Sequence, residues 1–103
     1  MAFQFQININ PTGGRPRIAF NPTPLSANAR DQIFWTNNDS VAHWPGLLNA
    51  DGTINQTFFM PNQIAPKGDT SATFSPAVAP ATFQYVCSIH PDEKGVIGVI
   101  NVT

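Results

Sequence analysis

The chain has few charged residues and no long hydrophobic run. Only 11% of its 103 residues are Asp, Glu, Lys or Arg, and the formal net charge is −1. Because the 5 Lys and Arg residues are too few to coat a phosphate backbone, this composition argues against nucleic-acid binding through a basic surface. No apolar stretch approaches the roughly 20 residues of a membrane-spanning helix. We therefore expect a globular protein with no membrane span.

Cysteine, methionine and glutamate are also scarce. The chain has one cysteine, Cys87, one glutamate, Glu93, and two methionines, Met1 and Met60. A single cysteine excludes an intrachain disulfide framework and leaves a free thiol, a reactive thiol or a metal ligand. The length predicts a single domain over residues 1–103. The first residues lack the basic start and apolar stretch of a signal peptide, which by itself leaves the compartment open.

The hydrophobic pattern predicts an all-β chain. The 10 prolines and 7 glycines are spread along the sequence and leave little room for helices. Apolar residues alternate with polar ones over residues 3–9, which is the period of a half-buried strand. Further strands are predicted at 17–20, 31–36, 41–48, 53–59, 70–74, 82–87 and 96–102. Seven or eight short strands separated by turn signals are typical of a β-sandwich.

The few cysteine and histidine residues suggest a metal site. Cys87 and His90 lie three residues apart where a predicted strand ends, and His43 follows a second loop, Asn37 to Ser40. A thiolate with two imidazoles forms the trigonal set of blue-copper sites. Structural zinc is less consistent with these residues, because it prefers four protein ligands. The alternatives are a buried cysteine that acts as a small hydrophobe and ordinary hydrogen-bonded histidines.

Two separated motifs resemble the cupredoxins, small copper proteins of the plastocyanin and amicyanin type. Residues 31–43 read Asp-Gln-Ile-Phe-Trp-Thr-Asn-Asn-Asp-Ser-Val-Ala-His, and residues 85–91 read Tyr-Val-Cys-Ser-Ile-His-Pro. The resemblance covers essentially the whole chain and implies a cupredoxin-like Greek-key β-sandwich. It also implies that His43, Cys87 and His90 are the equatorial ligands of a type 1-like copper site, and that the protein is periplasmic or extracellular.

The axial position departs from the family, which usually has a methionine after the second histidine. No methionine follows Met60 here. A short-loop alignment, as in amicyanin, places Glu93 in the axial position and needs no gap, so we favour it. A longer-loop alignment, as in plastocyanin, places Val96 there. A carboxylate would stabilise Cu(II), whereas a valine would leave three ligands and favour Cu(I).

Trp44 is a second departure, because the family usually has Asn after the first histidine. The Asn side chain ties the two ligand loops together, whereas an indole can only donate a hydrogen bond. We therefore expect a less rigid site, or one that Trp44 covers and shields from water.

The resemblance implies an electron carrier rather than an enzyme. We expect a monomer that docks transiently with redox proteins near His90, through an apolar patch of Ile89, Pro91, Trp44 and Pro45. Two alternatives stay open: copper storage or delivery without electron transfer, and a metal-free β-sandwich that serves as a binding module. A hydrolase with Cys87 as nucleophile is disfavoured, since so small a chain offers no evident substrate cleft.

Overall fold

The structure is a computed structural model that describes residues 3–89 and 94–100. The described residues form nine strands and no helix, and none of them belongs to a helix that could cross a bilayer. The strands are β1 Gln4–Pro11, β2 Ile18–Asn21, β3 Leu25–Ala27, β4 Gln32–Asn37, β5 Pro45–Leu48, β6 Ile54–Asn55, β7 Asp69–Thr70, β8 Ala81–Cys87 and β9 Lys94–Val99.

Two mixed sheets face each other. The first has the strand order β2-β1-β4-β7, with β1 antiparallel to β2 and parallel to β4. The second has the order β3-β9-β8-β5-β6, with β3 parallel to β9. Large side chains of both sheets are buried, as in a sandwich whose strands alternate between core and solvent. The predicted all-β sandwich is therefore confirmed.

The core is built around aromatic rings in contact. Trp35 of β4 and Tyr85 of β8 come from opposite sheets, are fully buried, and meet edge to face with ring centroids 5.3 Å apart. Tyr85 also contacts Phe20 at 4.7 Å, and Trp35 contacts Phe59 at 5.1 Å. Rings at these distances add directional stabilisation to their burial, so the two sheets are held in one fixed arrangement.

Three predicted strands are shorter in the structure, and one strand was not predicted. The strand expected at 41–48 begins only at Pro45, as β5, and is preceded by a single bridge at His43. The strand expected at 53–59 is reduced to β6, and that expected at 70–74 is reduced to β7 and a single bridge between Ile33 and Phe74. The strand β3 was not predicted, because the preceding Pro22 and Pro24 favoured a loop over this segment. Its strand character depends on parallel pairing with β9, about seventy residues away in the chain, and local sequence patterns do not report such pairing.

The register brings two segments to one end of the first sheet. Ile9 of β1 pairs with Asn37, the last residue of β4, and Pro11 pairs with Ile18, the first residue of β2. The loop after β4 and the residue that precedes β2, Arg17, therefore lie side by side. At the corresponding end of the second sheet, Cys87 closes β8.

Candidate metal centre

His43 is held by the backbone on both sides of its residue. It forms an isolated antiparallel bridge with Ile64, in which the His43 amide donates to the Ile64 carbonyl at 3.2 Å and the Ile64 amide donates back at 2.8 Å. The buried side-chain amide of Asn37 donates to the carbonyls of Val41, Ile64 and Ala65 at 2.9, 3.2 and 3.3 Å. These bonds fix the loop between β4 and His43, and the His43 side chain is completely buried.

Cys87 is the last residue of β8 and pairs across the sheet with Pro45. Its side chain is also completely buried, and its Sγ accepts a hydrogen bond from the Trp44 amide at 3.3 Å. The strand fixes the Cys87 backbone, while this N–H group stabilises negative charge on the sulfur. Hydrogen bonds to a ligating sulfur are one means by which proteins tune a copper site.

The structure brings the side chains of His43 and Cys87 together. His43 Nδ1 lies 3.2 Å from Cys87 Sγ, although the residues are 44 positions apart in the chain. Bonds of about 2.3 Å to sulfur and about 2.0 Å to nitrogen, as at zinc, would separate the two donors by about 3.5 Å at a tetrahedral angle. The observed separation of 3.2 Å is close to that value, so the pair has the chemistry and the spacing of two ligands of one metal ion.

The electrostatics of the pair depend on a third side chain, Asp39. His43 Nε2 lies 2.8 Å from Asp39 Oδ2. Burial disfavours the charged imidazolium, but the hydrogen bonds with Cys87 and Asp39 outweigh burial and raise the pKa of His43 above its usual value. Burial likewise opposes the Asp39 carboxylate, yet hydrogen bonds from Arg17, His43 and the Ser40 amide lower the pKa of Asp39 well below its usual range.

Trp44 ties the two ligand segments together through its backbone. Besides the bond from its amide to Cys87 Sγ, its carbonyl accepts hydrogen bonds from the Ser88 amide at 2.8 Å and the Ser88 hydroxyl at 2.9 Å. The side-chain amide of Gln56 donates to the same hydroxyl at 2.9 Å. Ser88 therefore supplies a link between the two candidate segments that the Trp44 side chain was not expected to provide. The half-buried indole of Trp44 donates from Nε1 to the Met60 carbonyl at 3.3 Å.

His90, Glu93 and Pro91 lie outside the described residues. Within 3–89 and 94–100, no group of three or more His, Cys, Asp and Glu residues is arranged to hold a metal ion, so the described part supplies the pair alone. Pro45, expected in the apolar docking patch, is buried, whereas Ile89 is 39% exposed.

Strand register argues against Val96 as an axial residue. Val96 pairs with Gln84, whereas the neighbouring Gly95 pairs with Tyr85. Since successive side chains of a strand point to opposite faces, Val96 shares the outer face with the exposed Gln84. Cys87 lies on the inner face with Tyr85. The long-loop alignment would therefore assign the axial position to Val96, whose side chain points to the face of the sheet opposite Cys87.

Three residues that contact the candidate pair or its neighbours were not predicted: Asp39, Arg17 and Ser88. The sequence places Asp39 in the loop before His43 and within the first cupredoxin-like motif, but no pattern assigns it a contact with the histidine ring. Arg17 reaches Asp39 only through the pairing of β2 with β1, 22 residues away from Asp39 in the chain. No local signal marks that contact.

Comparison with solved structures identifies the fold. No protein-family model and no curated protein matches the chain. The structure is similar to a purple cupredoxin from Nitrosopumilus maritimus, with a TM-score of 0.74 and 27% sequence identity over 91% of this chain and 97% of that chain. It is also similar to amicyanin from Paracoccus versutus, with a TM-score of 0.61 and 15% identity over 95% and 80% of the two chains. A pseudoazurin from Sinorhizobium gives a TM-score of 0.60 and 18% identity over 93% and 72%. The chain thus has the cupredoxin fold that its two motifs predicted.

Proposed function

We propose that this protein binds one copper ion and transfers electrons. The observation that carries the proposal is the buried pair of His43 and Cys87, whose donor atoms lie 3.2 Å apart. In this proposal His90, which follows Cys87 by three residues, is the third ligand. Glu93 is the candidate axial residue of the short-loop alignment. Mutants of amicyanin, one of the similar proteins, have been solved in Cu(I) form.

The donor set favours copper over zinc. One thiolate and two imidazoles match the trigonal set of blue-copper sites, whereas structural zinc sites use four protein ligands. The buried Cys87 Sγ receives the Trp44 N–H group, which helps to hold a thiolate in an apolar site.

The chain holds the two donors in a fixed arrangement. The His43–Ile64 bridge, the Asn37 hydrogen bonds and the Trp44–Ser88 tie restrain both ligand segments independently of any metal. Copper bound here would supply one-electron exchange between Cu(II) and Cu(I). Residues that need not move when the charge changes lower the reorganisation that accompanies electron exchange.

We expect the partners to be redox proteins that dock transiently beside the site. Ile89 is 39% exposed and Trp44 is half-buried, so both offer apolar surface next to Cys87. Electron-transfer contacts are typically small, and the low surface charge of this chain suits weak association. The family resemblance extends the proposal to a periplasmic or extracellular location.

Copper storage or delivery is the second candidate, favoured by the lack of an axial methionine. It requires that incoming and outgoing ligands reach the metal. His43 and Cys87 are both fully buried, which hinders such exchange at two of the proposed ligands. We therefore prefer electron transfer.

Voltammetry of the copper-loaded protein separates these functions. Electron transfer predicts a reversible one-electron wave that is unchanged by repeated cycling and absent from Cys87→Ser. A Ser26→Ala variant, which removes an exposed hydroxyl from β3, should keep the wave. Copper that is released to a chelator on reduction, with no reversible wave, would contradict electron transfer and support delivery.

A further inference from the structure

Both ring nitrogens of His43 are engaged by side chains. Nδ1 faces Cys87 Sγ at 3.2 Å, and Nε2 lies 2.8 Å from Asp39 Oδ2. His43 is fully buried and Asp39 is 3% exposed, so water does not compete appreciably for either contact. A carboxylate can only accept from an imidazole N–H. The Asp39 contact therefore places the ring proton on Nε2 and leaves the Nδ1 lone pair facing Cys87.

Asp39 is itself held from several directions. Arg17 donates from Nε to Oδ2 at 2.8 Å and from Nη2 to Oδ1 at 3.3 Å. The Ser40 amide donates to Oδ1 at 2.7 Å, and the Asp39 amide donates to Asn37 Oδ1 at 3.0 Å. The Asp39 carbonyl is occupied by the Lys67 amide at 3.0 Å. The backbone N–H and C=O groups of Asp39 are thus both hydrogen-bonded, and its side-chain carboxylate contacts His43. The hydrogen bonds from Arg17 and the Ser40 amide fix the position of that carboxylate.

We propose that Asp39, held by Arg17, is a positioning residue that orients His43 toward copper and sets the donor strength of its imidazole. This inference rests on the proposed copper site and deepens it. A carboxylate that accepts the outer N–H of a ligating histidine fixes the tautomer and raises the basicity of the ligand. A more basic imidazole favours Cu(II) over Cu(I).

The charges of Asp39 and Arg17 should have opposite effects on the reduction potential of copper bound at this site. The negative charge of Asp39 acts through the His43 ring and stabilises the higher oxidation state. The positive charge of Arg17 offsets part of that stabilisation, because its guanidinium binds the same Asp39 carboxylate as the His43 ring. Removing Asp39 or Arg17 should therefore shift the reduction potential in opposite directions. A general loss of folded structure would not shift the reduction potential in opposite directions for the two variants.

The first experiment tests the tautomer in the metal-free protein, by the nitrogen chemical shifts of the histidine rings at a pH where His43 is neutral. The wild type should hold the proton on Nε2. Asp39→Asn should show a mixture of tautomers or a reorganised ring, whereas Asp51→Asn, which makes the same charge change in an exposed turn, should resemble the wild type. A wild-type ring with its proton on Nδ1 would overturn the positioning role.

The second experiment measures copper affinity and reduction potential in the full chain. Asp39→Asn should bind Cu(II) about 10–100-fold more weakly, the usual cost of losing an outer partner of a ligand, and should have a higher potential. Arg17→Gln should have a lower potential, and Asp51→Asn should match the wild type. Thermal unfolding of each variant reports whether it folds.

The outcomes of the two experiments are distinct. Potentials that shift in the same direction for Asp39→Asn and Arg17→Gln, or an Asp39→Asn protein that behaves like Asp51→Asn, would overturn the inference. A wild-type protein that binds no copper would instead overturn the proposed function. The tautomer result would then decide by itself whether Asp39 orients His43.

Discussion

Gly95 leaves space for the ring of Tyr85, and Gly95→Ala should therefore be strongly destabilising. The two residues pair across β8 and β9, and a Cβ atom at Gly95 would overlap the Cζ, Oη and Cε2 atoms of Tyr85. The ring cannot withdraw easily, because it is fully buried and packs against Phe20 at 4.7 Å and Trp35 at 5.3 Å.

The magnitude follows from the depth of this overlap. Inserting a group into a well-packed core costs typically ~1–3 kcal/mol. Direct overlap with a ring that other rings enclose places Gly95→Ala at the upper end, about 3 kcal/mol. For a domain of this size each kcal/mol lowers the melting temperature by about 4–8 °C. Gly95→Ala should therefore lower it by at least about 12 °C, measured by thermal and urea unfolding of the metal-free protein.

Gly98 offers a matched control on the same strand. A Cβ atom there would meet only the Leu25 carbonyl oxygen, at an ordinary 3.9 Å. Gly98→Ala should change the unfolding free energy by less than about 1 kcal/mol and can be stabilising, because alanine restricts the unfolded chain. In a Tyr85→Ala background the penalty for Gly95→Ala should largely vanish. Equal effects of the two glycine substitutions would refute the reasoning.

Three further predictions concern the site and its surroundings. Ser88→Ala removes the hydroxyl bond to the Trp44 carbonyl, so the unfolding free energy should fall by about 1 kcal/mol in urea denaturation. In the copper-loaded protein Glu93→Gln should change the visible spectrum, whereas Val96→Met should not, because Val96 lies on the outer face of β9; the reverse result would contradict the short-loop alignment. Asp39 has a pKa in the folded protein below its ordinary value of about 3.9, so it contributes stability above that value and loses it as the pH falls. The stability difference between the wild type and Asp39→Asn should therefore shrink between about pH 5 and pH 2, and a constant difference would refute this assignment.

Several features of the fold could be predicted because they are encoded locally. The alternation over residues 3–9 marks β1, and the aromatic and branched residues between positions 82 and 87 mark β8. Both strands keep their side-chain period because one face packs against the aromatic core. The strand β3 was missed because its pairing with β9 is long-range, and the expected strand at 53–59 shortened because only two of its residues pair with β5.

The candidate site was predictable only as a set of residues. The scarcity of cysteine and histidine directed attention to Cys87, His43 and His90, and the structure brings the first two together. The supporting contacts were not predictable. The Arg17–Asp39 pair depends on strand register. Ser88 bonds to the backbone carbonyl of Trp44, and because every residue has such a group, the sequence does not mark this contact. Composition and spacing therefore indicate candidate ligands, whereas the orientation of their side chains depends on tertiary pairing.

The central claim is that Cys87 is a copper ligand, and titration with Cu(II) tests it most directly. Visible absorption and electron spin resonance would be recorded as Cu(II) is added to the full chain and to Cys87→Ser. We predict an intense thiolate-to-copper band that saturates at one equivalent and is absent from the variant. A wild-type protein that develops no such band and retains no copper would contradict the account.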